Sequence, residues 1–90
     1  MEINKFQLMP LTEAIKFEKM AEDNKVSEVA RSPNGFFYHY KKNKGKLEDP
    51  YWIKKRNAFL ARTLPAYYKN KTLRKWLSLI MWAFWADPPF

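Results

Sequence analysis

The feature that most constrains this chain is an apolar helical pattern close to its C-terminal end. Apolar side chains recur there at intervals of three and four residues, the period of one face of an α-helix. They are Leu73, Trp76, Leu77, Ile80, Met81 and Phe84. Thr72 precedes the pattern as an N-cap, and Asp87-Pro88-Pro89 ends it because proline cannot continue a helix. The pattern predicts a helix from Leu73 to beyond Phe84.

Other segments have helical patterns bounded by capping residues, glycines and prolines. They are Glu13–Asp23 after Thr12, Ser27–Arg31, Phe36–Lys42, and Pro50–Leu64 after Asp49. Pro65 is expected to stop or kink the longest of them. The aromatic residues of Phe36–Lys42 also suit a strand. The predicted fold is all-α, a compact bundle of four to five short helices in a single domain over residues 1–90.

The two C-terminal helices are expected to supply an aromatic core. Its predicted members are Trp52, Phe59, Trp76, Leu77, Ile80 and Phe84. Lys54, Lys55 and Arg62 lie on another face of their helix. Arg56 falls on the same side as the apolar residues, which indicates a buried, hydrogen-bonded arginine rather than a ligand contact.

The composition argues against several function classes. The chain has no cysteine and one histidine, His39, so neither a disulfide nor a metal site is expected. Neither a catalytic constellation nor a glycine-rich phosphate loop is present, which predicts a protein that is not an enzyme and needs no cofactor. The N-terminus does not resemble a signal peptide, and the apolar stretch 76–86 is too short to span a bilayer.

Positive charge is concentrated in the middle of the chain. Residues 31–75 hold thirteen Lys and Arg against two acidic residues, whereas residues 1–30 hold four Lys and six Asp and Glu. Such a block favours binding to a polyanion, most often nucleic acid, although it is also compatible with a merely solubilising face. Tyr67 and Tyr68 lie within it, and either stack on unpaired bases or pack beneath a loop. The candidate nucleic-acid-binding residues are Lys41, Lys42, Lys54, Lys55, Arg62, Lys71, Arg74 and Lys75.

The segment from Lys25 to Phe37 resembles part of a helix-turn-helix. Ala30 would lie where the two helices touch, and a recognition helix from Phe36 would present Lys41 and Lys42 to a groove. The spacing from Ala30 to Gly35 is one residue too long for that motif. An ordinary helical corner is the alternative interpretation.

The C-terminal aromatic residues favour a second function. Trp82 and Trp85 fall off the main apolar stripe of the last helix, and Phe90 follows the prolines. An exposed aromatic patch is typical of an interface, so self-association or docking on a host or viral protein is expected through Trp82, Trp85 and Phe90. Alternatively, Phe17 and Met20 of the first helix cover the tryptophans. Membrane association is not expected, because the last helix lacks a polar face.

Two stretches carry a family resemblance. They are Ala30–Phe37, and Tyr51–Arg62 followed by Leu77–Phe84. In size, charge and aromatic content they resemble small basic proteins encoded by bacteriophages, over residues 30–85. The resemblance implies a viral accessory protein, such as a virion component or a host effector, that acts in the host cytoplasm. It implies no activity and no functional residues.

Overall fold

The computed structural model describes residues 4–90 and confirms the all-α class. A helical stretch near the N-terminus has a 3₁₀ turn in its middle, and further helices follow it along the chain. The elements are α1 (Leu11–Ala14), the 3₁₀ turn (Ile15–Phe17), α2 (Glu18–Asp23), α3 (Glu28–Arg31), α4 (Phe36–Lys42), α5 (Pro50–Lys69) and α6 (Leu73–Ile80). The strand alternative for Phe36–Lys42 is wrong, and this helix has the predicted bounds.

Two predicted N-caps are confirmed and one is wrong. The Asp49 carboxylate accepts a hydrogen bond from the Tyr51 amide at 2.9 Å. Thr72 Oγ1 accepts one from the Lys75 amide at 3.2 Å. Thr12, by contrast, lies inside α1, which begins at Leu11 and has no side-chain cap. Among the helices of residues 4–90, side-chain caps therefore begin only α5 and α6.

The longest helix, α5, continues through Pro65 to Lys69, beyond its predicted end at Leu64. Proline removes the amide that would bond the carbonyl of the residue four positions earlier, here Ala61. Both Ala61 and Pro65 lie on the solvent side of α5, so water is available to the unpaired carbonyl. The proline is therefore tolerated inside a helix that it was expected to interrupt.

The last helix is shorter than predicted and ends at Ile80. The Phe84 amide bonds the Leu79 carbonyl at 3.0 Å, and the Ala83 amide bonds the Ile80 carbonyl at 2.8 Å. This pair of bonds is a Schellman motif, which requires a left-handed residue, and Ala83 supplies it with a φ of 59°. The C-terminal residues consequently leave the helix axis.

The core forms around α6, which packs against both α2 and α5. Trp76, Leu77 and Ile80 are buried as predicted, whereas Trp52, Phe59 and Phe84 are only partly buried against the core. The core also contains aromatic and aliphatic residues beyond the six predicted members. They are Phe36, Phe37, Tyr40, Leu60, Tyr67, Leu79 and Met81. Helix α4 thus contributes three buried rings, one more than α5 and α6 together.

The guanidinium of Arg56 connects both ends of the described chain to α5. The side chain is fully buried, and all five of its N–H groups donate hydrogen bonds of 2.7–3.0 Å. The acceptors are Asn4 Oδ1 and the carbonyls of Phe6, Gln7, Trp82 and Ala83. Burial lowers the pKa of Arg56 to about 10, so the guanidinium remains charged at neutral pH. The predicted buried arginine is confirmed.

We expect Arg56→Lys to lower the free energy of unfolding by at least about 3 kcal/mol. A lysine has three donors instead of five and cannot reach both sets of carbonyls, and each hydrogen bond to a charged group contributes about 1.5–3 kcal/mol. Urea unfolding followed by circular dichroism measures the difference. The same replacement at the exposed Arg62 of α5 is the control, with an expected change within about 0.5 kcal/mol. Equal losses of unfolding free energy at the two positions would contradict the conclusion that the five hydrogen bonds of Arg56 hold these segments together.

The contribution of Tyr40 to stability should be lost as the pH rises above 10, whereas Arg56, whose pKa is lowered on folding, has the opposite pH dependence. The buried Tyr40 hydroxyl donates to the Met9 carbonyl at 2.7 Å, and burial raises the pKa of the phenol above the ordinary value of 10.0. Between pH 10 and the raised pKa, the phenol of Tyr40 has lost its proton in the unfolded chain and keeps it in the folded chain. The contribution is therefore complete below pH 10 and is lost at up to about 1.4 kcal/mol per pH unit above it. Tyr40→Phe should flatten the alkaline slope in urea titrations, and Tyr38→Phe, on the exposed side of α4, is the control.

Candidate nucleic-acid interface

The solvent face of α5 carries several exposed cations. Lys55, Arg62 and Lys69 are all exposed and follow each other at seven-residue intervals. Seven residues make nearly two helical turns, so the three Cα atoms lie on one face at steps of about 10.5 Å. Lys54 is exposed next to Lys55. These four residues are named here the α5 basic face.

Small residues separate the cations on this face. They are Ala58, Ala61, Pro65 and Ala66, all exposed. No acidic residue occurs between Pro50 and Ala86. A flat surface of short side chains lets a linear polyanion approach the helix closely, and no nearby carboxylate of this segment repels it.

Within residues 4–90, the cations of the α5 basic face form no ion pair, whereas several other lysines do. Lys16 pairs with Glu13 at 3.2 Å, and Lys19 pairs with Asp23 at 3.4 Å. The partly buried pair between Lys41 and Glu18 is the shortest, at 2.5 Å. Lys41, a predicted binding residue, is therefore neutralised by a carboxylate of α2 and is not a free surface cation.

The remaining predicted cations lie beyond the ends of α5 or at the end of α4. Arg74 donates to the Asn24 carbonyl at 2.6 Å, and Lys75 donates to the Asn70 carbonyl at 3.2 Å. Lys71 lies 5.4 Å from the centroid of the Tyr68 ring. Lys42 is exposed at the C-terminal end of α4. The predicted set is thus not one patch: Lys54, Lys55 and Arg62 share a face, and that face also includes Lys69, which the prediction omitted.

The two tyrosines near the end of α5 have different environments. Tyr67 is buried, and its hydroxyl donates to the Asp87 carbonyl. Burial raises the pKa of this phenol. Tyr68 is half exposed beside Lys71. The packing interpretation holds for Tyr67, whereas Tyr68 stays half exposed with the Lys71 ammonium over its ring.

The suggested helix-turn-helix corresponds to α3 and α4, which pack against each other. Three residues of α4, Phe36, Phe37 and Tyr40, are buried, and Lys41 pairs with Glu18. The exposed part of this seven-residue helix is limited to the side of Tyr38 and Lys42. That side is too small to act as a recognition helix, and the segment is a helical corner.

An aromatic groove lies beside the N-terminal half of α5. It has a volume of about 190 Å³, and the α3–α4 turn forms the wall opposite the helix. Trp82 stacks between Phe36 and Phe59, with ring centroids 4.9 Å and 4.6 Å away. Gly35 belongs to the wall, and a Cβ there would lie 1.9 Å from the Val29 carbonyl oxygen, so the turn requires glycine. Trp52 also lines the groove.

The C-terminal aromatic residues do not form the single patch that was expected. Trp82 lines the aromatic groove described above, whereas Trp85 and Phe90 lie on either side of Trp76, at 5.4 Å and 5.6 Å. Phe17 lies 6.0 Å from Trp85 and covers it partly, leaving 49% of it exposed. Trp85 also lines a larger groove of about 390 Å³ between the N-terminal segment and Phe84.

His39 lies beside Asn43 and the Trp52 ring. In the described part of the chain, no three His, Cys, Asp or Glu side chains are grouped so that they could hold a metal ion. None of the helices in residues 4–90 combines the length and apolar character that crossing a membrane requires. Comparison with protein-family models, with curated proteins and with solved structures found no match for this chain.

Proposed function

We propose that this chain is a small, non-enzymatic protein that binds nucleic acid through the α5 basic face. The observation that carries the proposal is the row of exposed cations, Lys55, Arg62 and Lys69 with Lys54 beside them, that pairs with no carboxylate in residues 4–90. Cations that serve only as partners of acidic side chains would be paired as Lys16, Lys19 and Lys41 are. Unpaired cations in a row are suited to a repeating anion, which the phosphate backbone provides.

The binding proposed here depends on phosphates rather than on base sequence. Lysine and arginine that contact phosphates release condensed counterions, and this term is independent of sequence and weakens with salt. Lys71 and Lys42, beyond the two ends of α5, extend the contact surface. Arg74 and Lys75 contribute charge while they hold their carbonyl partners. Part of the same proposal, resting on the resemblance alone, is that the protein is a phage accessory protein in the host cytoplasm.

A triple substitution tests the proposal. Lys54→Gln, Lys55→Gln and Arg62→Gln together should weaken binding to a labelled duplex at least tenfold at low salt, measured by fluorescence anisotropy. The slope of log K against log salt should become shallower by roughly 0.9 for each phosphate contact that is lost. Exposed charges contribute little to folding, so the melting temperature should change by only a few degrees.

The matched control removes the same number of charges elsewhere. Lys16→Gln, Lys19→Gln and Lys25→Gln lie on exposed positions of the N-terminal half and lower the net charge equally. We expect this variant to keep most of the affinity and of the salt slope. Equal losses in both variants would show that only net charge matters, and a parent protein that forms no complex at low salt would refute the proposal.

A second candidate function is docking on another protein through Trp85 and Phe90. The observation in its favour is that Trp85 is 49% exposed and Phe90 is 88% exposed, while both rings contact Trp76. Tryptophan is enriched among the residues that dominate binding energy at interfaces. Trp82 is no longer part of this surface, because it stacks between Phe36 and Phe59.

Sedimentation tests the self-associating form of this candidate. If two copies associate through Trp85 and Phe90, the parent protein should sediment as a concentration-dependent oligomer and the Trp85→Ser variant should be monomeric. Trp82→Ser is the comparison, since its ring stacks inside the chain and its loss should reduce stability rather than association. A parent that stays monomeric at all concentrations would exclude self-association through Trp85 and Phe90.

A further inference from the structure

The aromatic groove and the α5 basic face share Lys55. Tyr51 and Lys55 lie on the first turns of α5 and also line the groove. A strand bound along the basic face would therefore pass the mouth of the groove. This continuity means that one ligand can occupy both sites.

The groove presents exposed aromatic rings. Tyr51 is 57% exposed and Trp52 is partly accessible although it packs on the core, whereas Trp82 already stacks on Phe36 and Phe59. Every nucleobase has a π-face, and stacking on an aromatic side chain contributes to binding whatever the base. The surface is thus suited to a flat aromatic ligand.

A cation lies over one of these rings, and an amide side chain lines the same groove. Lys55 Nζ is 5.5 Å from the centroid of the Tyr51 ring, so a cation and an aromatic face are adjacent. A nucleotide has the same juxtaposition, a phosphate next to a planar base. Asn34 also lines the groove; it is exposed, and its side-chain amide makes no hydrogen bond within residues 4–90. An amide can pair with the hydrogen-bonding edge of a base.

The size and charge of the groove distinguish among occupants. Its volume of about 190 Å³ is below the roughly 300–1,000 Å³ of pockets that enclose a drug-sized molecule, which favours a single ring system. None of its lining residues is acidic, whereas the groove beside Trp85 includes Glu13. A base that is paired and stacked inside a duplex cannot enter, so the base must be unpaired.

We infer that this groove binds one unpaired nucleobase, with the adjoining phosphate on Lys55, and that the preferred ligand is single-stranded nucleic acid. The inference rests on the proposed function and narrows it. The α5 basic face supplies affinity for any phosphate backbone, and the groove supplies the preference for a strand whose bases are free.

Three probes of equal length separate the two sites: an oligo-dT strand, an abasic strand with the same phosphates, and a duplex. By fluorescence anisotropy at one low salt concentration, the parent should bind oligo-dT at least about fivefold more tightly than the abasic strand, the effect of losing one stacked base. Oligo-dT, but not the abasic strand, should quench the tryptophan fluorescence, because Trp52 and Trp82 line the groove.

Tyr51→Ala should weaken oligo-dT binding at least about fivefold and leave binding to the abasic strand unchanged. Tyr68→Ala is the matched control. Tyr68 is also an exposed tyrosine of α5 with a lysine near its ring, but it lies outside the groove, so its loss should leave the oligo-dT preference intact. Val29→Glu provides a second variant: Val29 is 79% exposed at the groove, and a carboxylate there should repel the strand.

The outcomes for the two proposals are distinct. Equal affinity for oligo-dT and the abasic strand, with no effect of Tyr51→Ala, would overturn the groove assignment and leave phosphate binding by the α5 basic face standing. Failure of all three probes to bind at low salt would overturn both. Tryptophan quenching that depends on protein concentration without any oligonucleotide, and that persists in Trp85→Ser but is lost in Tyr51→Ala, would identify a second copy as the occupant of the groove and would also overturn the assignment.

Discussion

The packing of this protein depends on one buried cation that is paired with no carboxylate among the described residues. Arg56 places all five N–H groups against neutral oxygens from two distant segments, residues 4–7 and the turn after α6. An isolated buried charge is strongly unfavourable, and this arrangement is stable because every donor is satisfied. The same carbonyl of Ala83 accepts the Met9 amide at 2.7 Å. Residues 4–7 and the turn after α6 are thereby held mainly through backbone carbonyls that converge on one side chain.

Prediction from sequence succeeded for features that depend on neighbouring residues and failed for a feature that depends on the hydrogen bonds around Arg56. Local signals sufficed for the bounds of α4 and for the caps at Asp49 and Thr72, since capping depends on residues within one turn. The end of α6 was predicted too late because its cause is not local. Ala83 adopts a left-handed conformation that disfavours alanine by roughly 1–2 kcal/mol, and the hydrogen bonds to Met9 and Arg56 offset it.

The candidate site also combines features that the sequence predicts with features that it does not. Helical periodicity placed Lys54, Lys55 and Arg62 on the solvent face of α5, and the structure agrees. The pairing of Lys41 with Glu18, twenty-three positions apart, is tertiary and has no sequence signature. The aromatic groove likewise combines the α3–α4 turn, α5 and Trp82, and no single segment contains its pattern. The exposed cations of α5 were therefore predictable from the sequence, whereas the aromatic groove was not.

The left-handed turn at Ala83 has a consequence for synthesis of the chain. Residues 4–7 and the turn after α6 lie on opposite sides of Arg56 in the sequence, and the same guanidinium donates to both. A nascent chain that has only reached α5 lacks two of the five acceptors of Arg56, the carbonyls of Trp82 and Ala83. The native arrangement therefore forms only after α6 and the turn that follows it have been synthesised, and until then Phe36 of α4 and Phe59 of α5 lack Trp82, the ring that stacks on both.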